Sequence, residues 1–127
     1  MFEKLELTRM AQALASHAGA RMGVIARNVA HADTPGYKAQ DLPTFGSVFK
    51  AGGEPMRATR PGHLSAGSAM ADMHAENAPG REAPNGNTVS LEGEMVKSVE
   101  ARQSHEMALA VYRATSDVIR ASLGRPR

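Results

Sequence analysis

Two proline-free runs near the ends of the chain limit what it can fold into. From about Thr8 to Ala32, apolar residues recur at steps of three and four, which is typical of an amphipathic helix. From about Ser90 to Leu123 the same spacing returns, and Gly124 and Pro126 then supply ordinary helix stop signals. The sequence therefore predicts a mainly α protein with one long helix at each end.

Both predicted helices carry wide apolar faces. The residues of the face on the first helix are Leu7, Ala11, Leu14, Ala18, Met22, Ile25 and Val29. Those on the second helix are Leu91, Met95, Val99, Leu109, Tyr112, Ile119 and Leu123, with an offset stripe of Val96, Met107, Val111, Ala114 and Val118. The simplest burial is an antiparallel, coiled-coil-like pair. Two helices cannot bury faces this wide, so we expect the remainder to contact neighbouring molecules in an assembly.

Gly19 and Gly23 lie inside the first helical run. Each costs a helix about 1 kcal/mol relative to Ala. The helix either tolerates these two glycines or uses them to let another backbone approach closely, and the residues alone leave both interpretations open.

The middle of the chain has a different composition. Residues 35–87 hold most of the Pro and Gly and show no period of 2 or 3.6. Pro and Gly bracket Thr44–Phe49 and Met56–Thr59, which favours short strands there. Gly62–Asn87 is too poor in apolar residues to order itself, so we expect disorder, or order only against partners.

The predicted organisation therefore has four parts. They are an amino-terminal helix (1–34), an extended and partly disordered arm (35–87), a carboxyl-terminal helix (88–124) and a basic tail (125–127). Asn87, Thr88 or Ser90 can cap the second helix.

Several function classes are disfavoured by composition. The chain has no Cys, and no pair of its five His has the i, i+4 spacing of a helical metal site. We read Glu92, Glu94 and Glu100 as a solvated helix face paired with Lys97 and Arg102. No Gly-rich segment has the setting of a phosphate loop. We therefore expect neither an enzyme nor a cofactor or small-molecule substrate.

The balance of charge does not favour nucleic acid as a partner. The formal net charge is only +2, and basic residues do not alternate with aromatic ones. No stretch approaches the roughly 20 apolar residues that span a bilayer. Glu3 and Glu6 argue against a Sec signal peptide, so we expect any export to proceed without a cleaved Sec leader.

The segment "NVAHADTPGYKAQD", residues 28–41, is the most specific in the chain. Pro35 pushes Thr34 towards extended geometry, and Pro-Gly suits the centre of a type II turn in which Gly36 has positive φ. Because no ligand-binding pattern accompanies it, a structural corner is favoured over a phosphate loop or ligand clamp. We expect it to end the helix sharply and send the chain outward, with Tyr37 and Lys38 buried or paired at a subunit contact.

The string "ARNVAHADTPGYKAQD" closely resembles the signature of the bacterial flagellar basal-body rod and hook proteins. That signature reads Ala-x-Asn-Ile-Ala-Asn, then Asn or Asp, then Thr-Pro-Gly-Tyr. The matching positions are Ala26, Asn28, Val29, Ala30, Asp33, Thr34, Pro35, Gly36 and Tyr37. His31 stands where the family has its second Asn. Together with "GNTVSLEGEMVKSVE" and the short chain, the string is most similar to the proximal rod proteins of the family.

The resemblance implies a structural subunit whose two terminal helices pair as an inner-tube domain around a central export channel. Such subunits polymerise helically at the proximal end of the rod and transmit torque. It implies contacts with other copies, with the next rod protein FlgC, with the adaptor FliE and with the membrane ring. The implied location is the basal body, in the rod that crosses the periplasm. The implied route is the flagellar type III export apparatus.

"FGSVF", Phe45 to Phe49, has the Phe-x-x-x-hydrophobic form of an export-gate motif of such substrates. The alternative is that the two rings pack the arm onto the helices. A second hypothesis for the whole chain is a helical cytoplasmic adaptor or a secretion-chaperone-like binding module.

Overall fold

In the computed structural model, which describes residues 2–51 and 73–124, helices dominate. The elements in chain order are α1 Phe2–Ala30, β1 Gln40–Asp41, α2 Phe45–Ala51, β2 Glu76–Asn77 and α3 Leu91–Ser122. The prediction of a mainly α fold is confirmed. Across the described ranges, no helix combines the length and apolar character that crossing a membrane requires.

Helices α1 and α3 lie side by side and run antiparallel. Asn28 near the end of α1 contacts Glu94 near the start of α3, and Arg21, earlier in α1, contacts Glu100, later in α3. The predicted pairing of the terminal helices is therefore confirmed.

The seam between α1 and α3 is built from residues spaced by seven, all of them small except Ile25. Those buried there are Ala11, Ala18 and Ile25 on α1, and Ala101, Ala108 and Thr115 on α3. Small side chains allow the two backbones to approach closely, and Thr115 hides its hydroxyl by donating to the carbonyl of Val111, 2.8 Å away.

The predicted contact face of α3 is displaced from this seam. Met95 and Val99, which we expected to pack against α1, are 69% and 66% exposed. The prediction was wrong there because it weighted bulky residues, whereas the close contact selects Ala. On α1 the predicted face does include the seam residues.

Both ends of α3 follow their sequence signals. Of the three predicted caps, Ser90 is the N-cap, with its hydroxyl accepting from the amide of Gly93. At the other end, the amide of Leu123 donates to the carbonyl of Ile119, and Gly124 follows with φ of +79°.

The predicted strand at Thr44–Phe49 is wrong, because this segment forms α2. Thr44 directly precedes the helix, its carbonyl accepts from the amide of Ser47, and its hydroxyl donates to that of Ser47. Thr is among the residues preferred directly before the first turn of a helix, which favours a helix start here. The predicted strand at Met56–Thr59 lies outside the described residues.

The two short strands of the arm lie elsewhere. β1 and β2 pair antiparallel, with Gln40 opposite Asn77 and Asp41 opposite Glu76. The segment Gly62–Asn87, which we expected to be disordered, lies partly outside the described residues. The basic tail lies wholly outside them. From residue 73 onward the chain provides β2 and the turns that lead to α3.

Candidate functional site

The Thr-Pro-Gly-Tyr segment forms the predicted turn. The amide of Tyr37 donates to the carbonyl of Thr34 at 3.3 Å, and Gly36 has φ of +73°. A hydrogen bond across Pro35-Gly36 with positive φ at the second position defines a type II turn.

Beyond the turn, the chain runs back along α1. Gln40 meets Asn28, Asp41 meets Arg21, and the carbonyl of Pro43 meets His17. The expectation that the turn sends the chain outward is therefore wrong for residues 37–43. Polar side chains on α1 hold this segment against the helix pair.

Asn28 is the centre of these contacts and is 0% exposed. Its Nδ2 donates to the carbonyl of Gln40 at 2.7 Å and to Oε2 of Glu94 at 3.0 Å. Its Oδ1 accepts from the amide of Gln40 at 3.1 Å and, at a long 3.4 Å, from the hydroxyl of Tyr37. One amide thus pairs with both backbone groups of Gln40, as a neighbouring strand would.

Glu94 brings a carboxylate into this buried position. It is only 2% exposed, and its second oxygen lies 2.9 Å from Nζ of Lys97. The prediction of a solvated face is wrong for Glu94, because it precedes the buried Ala101 by seven residues and so faces the seam. That seven-residue spacing was the sequence signal that could have identified it.

Asp41 ties the returning segment to both helices. Arg21 makes a bidentate contact with this carboxylate, in which Nε donates to Oδ1 at 3.0 Å and Nη2 donates to Oδ2 at 3.1 Å. Lys97 of α3 lies 3.5 Å from Oδ2. Burial alone would raise the pKa of Asp41. Hydrogen bonds from Arg21 and the Leu42 amide, together with the charges of Arg21 and Lys97, outweigh burial, so the pKa is lowered. The hydrogen bond to Asp41 in turn raises the pKa of Arg21.

The lowered pKa of Asp41 predicts an acid-sensitive contribution to stability. A carboxyl group whose pKa is lower in the folded state stabilises the fold above its unfolded pKa of about 3.9, and this contribution is lost as pH falls through the folded pKa. We expect Asp41→Asn to be less stable than the parent at pH 6. The difference should shrink steadily below about pH 4.

Urea unfolding followed between pH 6 and pH 2 checks this expectation. Asp117→Asn is the matched control, since that carboxylate is exposed and sits 3.9 Å from Arg120. Its unfolding free energy should parallel the parent's. A constant offset between Asp41→Asn and the parent down to pH 2 would contradict the assignment.

The side chain of Asn87 binds the turn that follows the carboxyl end of α1. Its Nδ2 lies 2.9, 2.7 and 2.9 Å from the carbonyls of His31, Ala32 and Thr34, and its Oδ1 accepts from the amide of Val89 at 2.7 Å. An NH₂ group has two hydrogens, so these three carbonyls share them. From the sequence, Asn87 was a possible cap of α3. Its contacts with the turn after α1 were missed, because these partners lie more than 50 positions away in the chain.

The turn before α3 also contacts the Thr-Pro-Gly-Tyr turn directly. The amide of Gly36 donates to the carbonyl of Asn85 at 3.0 Å. Gly86 has φ of +80°, and a Cβ there would lie 3.4 Å from Cα of Gly36. Both glycines are therefore required by conformation, and the close approach favours the absence of a side chain at Gly86.

Backbone pairing extends this contact along the returning segment. The amide of Thr88 donates to the carbonyl of Tyr37, and the amide of Ala39 donates to Oγ1 of Thr88. We call the assembly of Asn28, residues 36–41, residues 85–88 and Glu94 the clasp. It joins the two parts of the sequence that carry the family resemblance.

His31 and Tyr37 form a ring stack on the outer side of the clasp. Their centroids are 4.6 Å apart with planes at 18°, and Nδ1 of His31 lies 3.2 Å from Oγ1 of Thr34. Tyr37 is half-buried within the chain, while Lys38 is exposed and pairs with Glu82 at 3.2 Å. The remaining motif residues Ala26, Val29, Ala30, Asp33, Thr34 and Pro35 are exposed.

Phe45 and Phe49 lie on α2 with their rings 5.4 Å apart. Phe45 contacts His17 edge-on, and His17 donates from Nε2 to the carbonyl of Pro43 at 2.8 Å. Phe49 is 45% exposed. Phe45 thus packs the arm onto α1, and the export-gate role of the pair stays a prediction.

Most of the predicted assembly face is accessible. Ile25 is buried, while Leu14, Leu109 and Ile119 are half-buried. The exposed members are Leu7, Met22, Val29, Leu91, Met95, Val99, Tyr112 and Leu123. Among residues 2–51 and 73–124, no group of three or more His, Asp or Glu side chains is placed to hold a metal ion.

Comparison with known proteins agrees with the resemblance carried by the motif. The chain is similar to the flagellar basal body rod protein FlgB of Agrobacterium fabrum, with 29% identity over 119 residues that make up 88% of either chain. No family model matches the chain. The predicted similarity to proximal rod proteins is confirmed.

Proposed function

We propose that this chain is a structural subunit of the bacterial flagellar basal-body rod, polymerising helically at the proximal end of the rod. The observation that carries the proposal is a similarity to FlgB that covers 88% of the chain. Three residues of the family signature, Asn28, Gly36 and Tyr37, take part in the clasp.

The exposed apolar side chains of the helix pair support assembly. Met95, Val96 and Val99 form a patch on α3 in which every member is at least 60% exposed. Fully burying one such side chain stabilises an interface by about 1.5–3 kcal/mol. A neighbouring subunit that covered this patch would gain several such contributions.

The two helix glycines fit the same proposal. A Cβ built at Gly19 or Gly23 meets no atom within 4 Å, so no described part of this chain makes use of the space. We propose that a neighbouring backbone approaches there, which would offset the cost of two glycines in a helix.

Further partners follow from the same proposal. The subunit would link the membrane ring and the adaptor FliE to the next rod protein, FlgC, and would transmit torque around the export channel. It would reach the rod, across the periplasm, through the flagellar type III apparatus without a cleaved Sec signal. Phe45 and Phe49 are the proposed export-gate residues.

A double variant on the α3 patch tests the assembly. We expect Met95→Asp/Val99→Asp, expressed in a strain lacking the native gene, to reduce basal bodies with complete rods by about tenfold or more, because buried unpaired charges are costly. Electron microscopy of isolated basal bodies and swimming assays give the readout. Met95→Gln/Val99→Thr is the matched control without charge and should retain most rods. Normal rods in the Asp variant would refute a role for this patch.

Gene deletion separates this function from the alternative of a cytoplasmic adaptor or chaperone-like module, which the similarity to FlgB does not favour. A rod subunit predicts rodless basal bodies on deletion and incorporation of the protein into purified basal bodies. A cytoplasmic adaptor predicts its absence from purified basal bodies.

A further inference from the structure

Three segments distant in sequence satisfy one another's polar groups at the clasp, and the side chains of Asn28, Asn87 and Glu94 are buried there. Asn28 of α1 depends on Glu94, 66 positions later, and on Gln40. The carbonyls of His31, Ala32 and Thr34, in the turn that follows α1, depend on Asn87, more than 50 positions later. The returning segment depends on both helices, through Asn28 on one side and Thr88 on the other.

None of the three segments supplies these partners for itself. Without residues 85–94, the side-chain amide of Asn28 loses its carboxylate acceptor, and the backbone amide of Ala39 loses the Thr88 hydroxyl. The three carbonyls in the turn after α1 also lose their donor, Asn87. Without residues 36–41, Asn28 loses both backbone groups of Gln40. Buried polar groups left without partners are costly, so partial opening is strongly disfavoured.

We infer that the carboxyl-terminal half of α1, residues 36–41 and residues 85–94 open and close as one unit. The Thr-Pro-Gly-Tyr turn is then stable only when residues up to Glu94 have joined the clasp. The coupling follows from contacts within a single chain and does not depend on the proposed function.

Hydrogen exchange on the full-length chain tests the coupling. In the parent, the amides of residues 24–30, Ala39 and Gln40 should exchange with one shared opening free energy. Thr88→Val removes the acceptor of the Ala39 amide and should accelerate exchange of all these amides by one common factor, about tenfold. Asn77→Ala changes an exposed asparagine of β2 and should leave the rates unchanged.

A rise confined to Ala39 and Gln40, with residues 24–30 unchanged, would overturn the inference, because it would show that the returning segment frays alone. A stronger variant, Asn87→Ala, gives a second test by circular dichroism and exchange. Loss of protection at residues 24–30, or loss of the helical signal of the whole chain, supports the coupling. Opening restricted to residues 83–90 refutes it.

Discussion

Asn28→Ala should lower the free energy of unfolding by about 3 kcal/mol, a large part of the stability of a domain this size. The substitution removes the side chain that pairs with both backbone groups of Gln40. It also takes a hydrogen-bond donor from the buried carboxylate of Glu94, and removing one partner of a buried charge is strongly destabilising. Urea unfolding at pH 7, followed by circular dichroism, measures the change.

Asn77→Ala is the matched control, because Asn77 is an exposed asparagine of the arm. Its unfolding free energy should stay within about 0.5 kcal/mol of the parent's. If Asn28→Ala behaved like this control, Asn28 would not be the centre of the clasp.

Ala108→Leu should destabilise the helix pair by about 2–3 kcal/mol. Ala108 is 1% exposed at the seam between α1 and α3. The added carbons would force α1 and α3 apart or push the leucine into an unfavourable rotamer. Thermal and urea unfolding would both report the loss.

Ala110→Leu makes the same chemical change on the exposed side of α3. Since Ala and Leu have similar helix propensities, it should alter the unfolding free energy by less than about 0.5 kcal/mol. Equal effects of the two substitutions would mean that Ala108 is not closely packed against α1.

The main features of the fold follow from local signals in the sequence. Apolar spacing locates both helices, and the caps and glycines locate the ends of α3 to within a residue, whereas α1 begins six residues before the predicted Thr8. The Pro35-Gly36 turn follows from the restricted φ of proline and the positive φ open to glycine. Each of these features depends on residues that are near neighbours in the chain.

The clasp could not be predicted because its partners are distant in sequence. Nothing local distinguishes Asn87, which caps α1, from Ser90, which caps α3. Glu94 shares the seven-residue spacing of the seam, but only the antiparallel register places it against Asn28. The α3 seam was missed for another reason, since a search for bulky residues overlooks alanines spaced by seven.

The seven-residue spacing of that seam has a consequence for alignment. Ala18 and Ala101 resemble the small residues one heptad away on their own helices, so sliding α1 past α3 by seven residues, about 10 Å, would again place small residues together. The alanines therefore hold the helices close without choosing between alternative alignments. Asn28 has a buried carboxylate to meet in only one of them, so the costly polar pair sets the register of the two helices.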